Sequence, residues 1–254
     1  MTILIIGASR GLGRALADGL AAAGHEVCGV ARTVPEDAPG WIAADLSRPA
    51  AAARTIAAAA PEHLDTVIWN VGVWERVAFS DAYAFAGGGG DGGGAADADN
   101  GANSGADADA EADAEIEALI QTNVTAAILV LRRLLPALLA HERPRIIITG
   151  STSGLRGSGR PEVAFGASKF AIHGIADALR EGHRADRLAV TTLQLGYLNT
   201  DDGLDVPVAE AAQRGAGQLV PVHDVVLLVR TILELSSAAF VRDLTLPAIF
   251  DERF

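Results

Sequence analysis

The sequence predicts an α/β fold, a doubly wound parallel sheet (Rossmann fold) built as a single domain over residues 1–254. Three observations carry that expectation. Short apolar runs that suit strands buried on both faces alternate with helical patterns along the chain. The first run, residues 3–6, ends in a glycine-rich turn, Gly7-Ala8-Ser9-Arg10-Gly11-Leu12-Gly13, that opens a helix. The chain has 254 residues, half of them hydrophobic, enough to bury one substantial core.

The elements follow in order. A helix is expected over 11–23, closed by Gly24 as its C-terminal glycine. Strands are expected over 26–31 and 41–44. Ser47 with Pro49 then opens an alanine-rich helix to about residue 60. A strand at 64–69, a long helix at 113–140, a strand at 145–149, a helix at 161–184 and a strand at 188–195 come next. A helix at 221–235 and a strand at 243–249 complete the pattern. Strands separated by helices imply a parallel sheet covered on both faces, and ligands of such sheets bind at the carboxyl ends of the strands.

Composition limits the function. The net charge is −12, from 20 Lys and Arg against 32 Asp and Glu, which argues against nucleic-acid or anionic-membrane partners. One cysteine, Cys28, leaves no disulfide framework or cysteine-based zinc site. The opening apolar run is too short for a signal peptide or membrane span, so a cytoplasmic location is expected. Nine of the acids and nine of the 28 glycines fall in residues 86–117, without a Lys or Arg. Residues 86–112 therefore read as a flexible, solvated Gly/Asp/Ala-rich insertion, with a helix beginning near Asp113. Asp97, Asp99, Asn100 and Asn103 do not have the spacing of a calcium loop, and no metal site is expected.

Along this frame lie six motifs. The glycine turn at 7–13 suits close approach of a pyrophosphate to backbone N–H groups at a helix N-terminus. Asp45-Leu46 follows the third strand and Trp69-Asn70-Val71-Gly72 closes the fourth. Gln121-Thr122-Asn123-Val124 lies in the long helix. Thr149-Gly150-Ser151-Thr152-Ser153-Gly154 follows the fifth strand and Leu195-Gly196-Tyr197-Leu198-Asn199-Thr200 the sixth. In this order they resemble the short-chain dehydrogenase/reductase family. The resemblance implies a cofactor site on Gly7, Ser9, Arg10, Gly11, Leu12, Gly13, Asp45, Leu46, Asn70, Gly72, Gly196 and Thr200. It implies a catalytic set containing Ser151, Asn123 and Lys169, with Lys169 also holding the nicotinamide ribose. The partner implied is a small carbonyl or alcohol substrate, covered by a lobe at 200–220. Assembly as a homodimer or homotetramer through the long helix and the Lys169 helix is implied as well.

Two positions refine this reading. Members of the family specific for NAD resemble one another in an acid at the end of the second strand, where this chain has Ala31-Arg32. Arg32, with Arg10 from the glycine turn, suits a 2′-phosphate instead, so the expected cofactor is NADP(H). The family's Tyr-x-x-x-Lys signature reads Phe165-Gly166-Ala167-Ser168-Lys169 here: the lysine stays and the phenol is gone. A general acid contributes about 10²–10⁴-fold to such a reaction. Tyr197 is one replacement donor. The other readings are a cofactor-binding protein with little turnover, a phenylalanine introduced to trap a complex, or a non-redox lyase or isomerase step.

Overall fold

The expected alternation of strand and helix is present in the computed structural model of the chain, which describes residues 1–74, 105–158 and 162–251. Seven strands form one sheet in the order β3-β2-β1-β4-β5-β6-β9, every neighbouring pair parallel. They are β1 (Thr2–Ile6), β2 (Glu26–Ala31), β3 (Ile42–Ala43), β4 (Thr66–Trp69), β5 (Arg145–Thr149), β6 (Ala189–Leu195) and β9 (Asp243–Leu246). A separate two-residue pairing joins β7 (Leu198–Asn199) to β8 (Val220–Pro221).

Alternation along each strand divides the core in two. Leu4, Ile6, Val67 and Ile146 enter one apolar cluster, and Ile3, Ile5, Ile68 and Ile147 enter the other. Helix α1 (Gly11–Ala22) and helix α6 (Val222–Glu234) cover the second cluster through Leu16, Leu20, Val225 and Val229. Helices α2 (Pro49–Ala59) and α4 (Ala126–Leu139) cover the first through Ile56, Val130, Leu131 and Leu134. A doubly covered sheet of this kind explains why the strands read as unbroken apolar runs.

Local signals act mostly as expected. Gly24, at φ +85°, ends α1, its N–H donating to Ala21 O at 2.9 Å and the next N–H to Leu20 O at 3.1 Å. Pro49 occupies the first turn of α2, but the residue capping it is Arg48 rather than Ser47. Ser47 is held instead by the Asp45 carboxylate, through its own N–H and hydroxyl.

One expectation is corrected. The helix expected to begin near Asp113 begins at Gly105, as α3 (Gly105–Ile120), so the last eight residues of the supposed flexible insertion are helical. Residues 86–104 lie outside the described residues. The cause is visible in the sequence: acids at 107, 109, 111 and 113 interleaved with alanine favour a helix N-terminus, and extending an existing helix costs far less than nucleating one. A π-helical turn, Gln121–Thr125, joins α3 to α4 without a break. Residues Ala112–Leu139 are long and apolar enough to cross a membrane by length and composition alone, while Ala126, Val130, Leu131, Leu134 and Leu138 of that stretch lie in the first core cluster.

The sheet order reverses between β1 and β4, from which the chain proceeds to opposite edges. The crevice at their carboxyl ends is the topological switch point, where ligands of this architecture bind.

Candidate active site

The turn after β1 is shaped for close backbone approach. Gly7, at φ +87°, and Ala8 both donate to Val30 O, at 2.9 and 3.0 Å. A Cβ on Gly13 would stand 1.9 Å from Gly7 O, so only glycine brings α1 this near the turn. Asn70 at the end of β4 donates its side-chain amide to Gly7 O at 3.1 Å, and the Thr149 hydroxyl lies 3.3 Å from both Trp69 O and Asn70 Oδ1. The end of β4 thus braces the turn. Leu12 is buried and anchors the helix start, while Ser9 and Arg10 are exposed. Arg10 caps α1 with no side-chain hydrogen bond, leaving the first helical N–H groups for an anion. Thr200 comes from beyond β7 and lies against Gly11, whose Cβ would be 3.2 Å from the threonine's. A hollow of about 340 Å³ lies beside them, lined by Gly11, Arg14, Ala15, Thr200, Gly203 and Leu204 among others.

Charges around this turn fall into two kinds. Arg14 holds Asp37 with both terminal nitrogens, at 3.1 and 2.6 Å, and Asp18 through Nε at 2.9 and 2.8 Å. These bonds tie the segment after β2 to α1 and hold the Asp37 carboxyl below the usual carboxylate range. Arg10 and Arg32 are exposed, and neither has an ion pair among the described residues. Asp45 is exposed too. Its carboxyl is lowered first by the Ser47 hydroxyl and N–H, with Arg48 and Arg32 adding to the effect, and Leu46 beside it is half-buried.

Across the crevice, Asn123 sits in the π-helical turn and is 1 % exposed. Its Oδ1 accepts from Val73 N at 2.8 Å, and its Nδ2 donates to Val73 O and Ser168 Oγ, both at 3.0 Å. Both amide hydrogens are therefore used, and Asn123 acts as a clamp on the segment after β4. Ser168 passes the bond on to Phe165 O at 2.7 Å. Ser151 caps the short 3₁₀ turn Thr152–Gly154, its Oγ accepting from Ser153 N at 3.1 Å, which leaves its own hydrogen to donate. Its backbone N–H donates to Gln194 Oε1 at 3.0 Å, and the Gln194 amide packs where a Cβ on Gly150 would be.

Lys169 is 5 % exposed, and burial lowers its ammonium to about 8. The end of β4 makes room for it: a Cβ on Gly72 would be 2.8 Å from Nζ. The same ammonium lies 5.5 Å from the centre of the Phe165 ring. Phe165 is 5 % exposed and packs on Ile116, Leu119 and Ile120 of α3. The Trp74 ring covers it, with centroids 4.2 Å apart. Tyr197 is brought to the same mouth, but its ring faces Trp74, at 6.4 Å, and is 46 % exposed. Gly196 serves packing: its Cβ would meet Pro247 at 3.0 Å, and its N–H donates to Leu246 O.

The structure therefore joins Asn70 to the glycine turn, Thr200 to Gly11, and Gly72 and Phe165 to Lys169, with Ser151 at the end of β5. Trp74, Gln194, Arg14 and Ser168 were not expected there. Trp74 had one signal in the sequence, a large aromatic two residues past the strand-ending motif, where loops carry function. Gln194, an amide inside an otherwise apolar strand, had another.

Residues 95–206, a little under half of the chain, match the family model described as short chain dehydrogenase. That central stretch is what the chain shares with the short-chain dehydrogenase model. Solved structures resemble it over nearly the whole length. They include the serine dehydrogenase of Escherichia coli, at 19% identity and TM-score 0.68, with 96% of each chain covered. A metagenomic short-chain oxidoreductase in complex with NADP has 24% identity and TM-score 0.64, covering 97% of this chain and 96% of its own. The RhlG/NADP active-site complex of Pseudomonas aeruginosa has 22% identity and TM-score 0.69, covering 98% and 95%. At these identities the likeness is one of fold. No curated protein matches the sequence. The matched stretch of the short-chain dehydrogenase model includes Asn123, Ser151, Phe165, Lys169, Gly196 and Thr200.

Proposed function

We propose that this chain is an NADP(H)-dependent short-chain oxidoreductase acting on a carbonyl or alcohol, in which Phe165 stands where the family has its proton-donating tyrosine. The observation that carries the proposal is the cradle at the start of α1. Gly13 admits no side chain, the helix N-terminus has no side-chain cap, and the exposed Arg10 and Arg32 have no ion pair among the described residues. Backbone N–H groups and the helix dipole suit a pyrophosphate, and an unpaired guanidinium suits the 2′-phosphate that an acid would repel.

When bound, a nicotinamide cofactor supplies or accepts the hydride. The chain's own residues do the rest. Gly7, Ser9, Arg10, Gly11, Leu12 and Gly13 form the phosphate turn, and Asn70 fixes it through Gly7 O. Asp45 and Leu46 border the adenine end, and Gly72 gives Lys169 its place beside the ribose. Thr200 closes over Gly11 from the 200–220 lobe. Ser151 donates its free hydrogen to the substrate oxygen, a bond that strengthens as negative charge develops there. Asn123 positions the backbone that carries Trp74. Association into a homodimer or homotetramer through α3–α4 and the helix α5 (Val163–Gly182) belongs to the same proposal.

A second reading is an NADP(H)-binding protein with little redox turnover, and the Trp74–Phe165 stack over the reaction side favours it. Fluorescence titration tests what the two readings share. NADPH is expected to bind at least tenfold tighter than NADH, and failure of both to bind overturns both readings. Turnover on a panel of carbonyl compounds separates them, with the parent active under the first reading and inactive under the second.

A further inference from the structure

Of the chain's 20 basic residues besides histidine, 19 are arginine; Lys169 is the one lysine. Arginine stays protonated under any condition in which the chain is folded, whereas an ammonium can release a proton when it is desolvated. Among the described residues, this single lysine is also a deeply buried cation in the crevice. It is 5 % exposed, lies against Gly72, and is 5.5 Å from the centre of the ring that lacks a hydroxyl. Among the described residues no carboxylate lies within ion-pair reach of it. Among the described residues, neither Glu162 at the start of α5, His173 one turn beyond Lys169 nor Glu117 of α3 shifts it, and burial is what lowers it. Asn123 on the π-helical turn and Ser151 and Ser153 on the 3₁₀ turn are neutral neighbours.

We infer that Lys169 is itself the proton donor of the reductive reaction, its ammonium replacing the phenol that Phe165 does not provide. This inference rests on the proposed NADP(H)-dependent activity. In the step, the carbonyl carbon takes the hydride that the nicotinamide supplies, and its π pair moves onto oxygen. The oxygen takes a proton from Nζ, and the N–H bonding pair remains on nitrogen. The neutral amine then regains a proton from water, so one carbonyl, one hydride and one proton give one alcohol. Burial suits the task, because an ammonium lowered to about 8 is protonated at neutral pH yet gives up its proton more readily than one in water.

Because there is a single lysine, feeding ¹³C,¹⁵N-lysine labels one side chain. The experiment follows that Nζ signal against pH in the whole protein, with and without NADPH. NADPH oxidation by 9,10-phenanthrenequinone, a flat dicarbonyl suited to the aromatic mouth, is measured over the same range. The expected result is an Nζ midpoint near 8 and a kcat that falls as pH rises through the midpoint measured with NADPH bound. Lys169→Arg, which keeps a cation but cannot release a proton, is expected to lower kcat at least 100-fold when NADPH is saturating, whatever its effect on NADPH affinity. A midpoint above 10, a kcat profile that ignores the midpoint, turnover surviving in Lys169→Arg, or no turnover with NADPH bound would each overturn the inference. Absence of NADPH binding is read separately by fluorescence, and it sinks the cofactor reading instead.

Discussion

The two walls of the crevice differ in how tightly backbone sterics fix them. The wall formed by β1, the glycine turn and α1 holds glycine where the backbone requires it, and Asn70 braces it at 3.1 Å with the Thr149 hydroxyl 3.3 Å from Asn70 Oδ1. The wall formed by the ends of β4 and β5, the π-helical turn and α5 carries Asn123, Ser151, Lys169 and Phe165, with Trp74 laid across the Phe165 ring. Sterics leave the first wall almost no freedom, since one Cβ at Gly13 already collides with Gly7 O. Under the proposed function the second wall places a proton and a substrate, and more than one arrangement of side chains does that. Under the proposed function, side chains on the second wall can therefore change while the first wall keeps a shape suited to a dinucleotide.

The largest expected effect breaks the first wall. Gly13→Ala puts a methyl group 1.9 Å from Gly7 O, so α1 must move away from the turn. NADPH binding is expected to fall more than 100-fold, and overpacking of this kind costs about 1–3 kcal/mol of stability. Titration with NADPH and a thermal melt on the same sample check both. A melt unchanged within error, with binding intact, would mean that the turn is not rigid.

The second effect concerns the other wall and has the opposite sign. Lys169→Met removes a charge that burial disfavours. The shift of the ammonium from 10.5 to about 8 corresponds to roughly 3 kcal/mol, carried as a penalty by the folded state. The unfolded chain binds the proton more tightly, so the penalty is full below about 8. It shrinks as pH rises from there and is gone above 10.5. The variant is expected to be more stable than the parent at pH 7, by up to this amount, with the advantage narrowing towards pH 10. Denaturant midpoints at the two pH values measure it, and a destabilised variant at pH 7 would show that packing of the alkyl chain outweighs the charge.

The sequence made the first wall more legible than the second, for a physical reason. Strand periodicity and the glycines at 7, 11 and 13 are local signals, and β2 and β5 have the boundaries expected of them. Side chains that meet from distant elements leave little trace in a linear pattern. Nothing local in Asn123 says that both its amide hydrogens are taken by Val73 and Ser168, or that the amide of Gln194 lies under Gly150. The start of α3 was missed because glycine and acidic residues read as a solvated segment, whereas continuity with an apolar helix and charge at its N-terminus extend it to Gly105.

Arg32→Ala sharpens the comparison on the adenine side of the first wall. Arg32 is exposed and has no ion pair to lose among the described residues, so the change costs little stability. A charge-assisted bond to a phosphate contributes about 1.5–3 kcal/mol, which predicts roughly 10–100-fold weaker NADPH binding. NADH, without the 2′-phosphate, is expected to change by less than about threefold. Equal losses for the two cofactors would show that Arg32 reads something other than that phosphate.

The smallest expected effect probes the mouth of the second wall. Trp74 is 43 % exposed, yet its ring rests on Phe165 at 4.2 Å and reaches Tyr197 at 6.4 Å, forming an apolar platform above the Lys169 ammonium. An aromatic contact of this kind contributes about 0.5–1.5 kcal/mol beyond area burial. Trp74→Ala is therefore expected to raise KM for a flat carbonyl such as 9,10-phenanthrenequinone about threefold to tenfold, with NADPH affinity unchanged, because the turn that holds the dinucleotide is braced by Asn70 and not by Trp74. A small aliphatic ketone supplies the control, since it gains little from a ring platform. If the variant raises KM for both substrates alike, Trp74 supports the fold of the segment after β4. If only the flat substrate is affected, the ring selects what enters, and the two walls divide the work between holding the dinucleotide and choosing its partner.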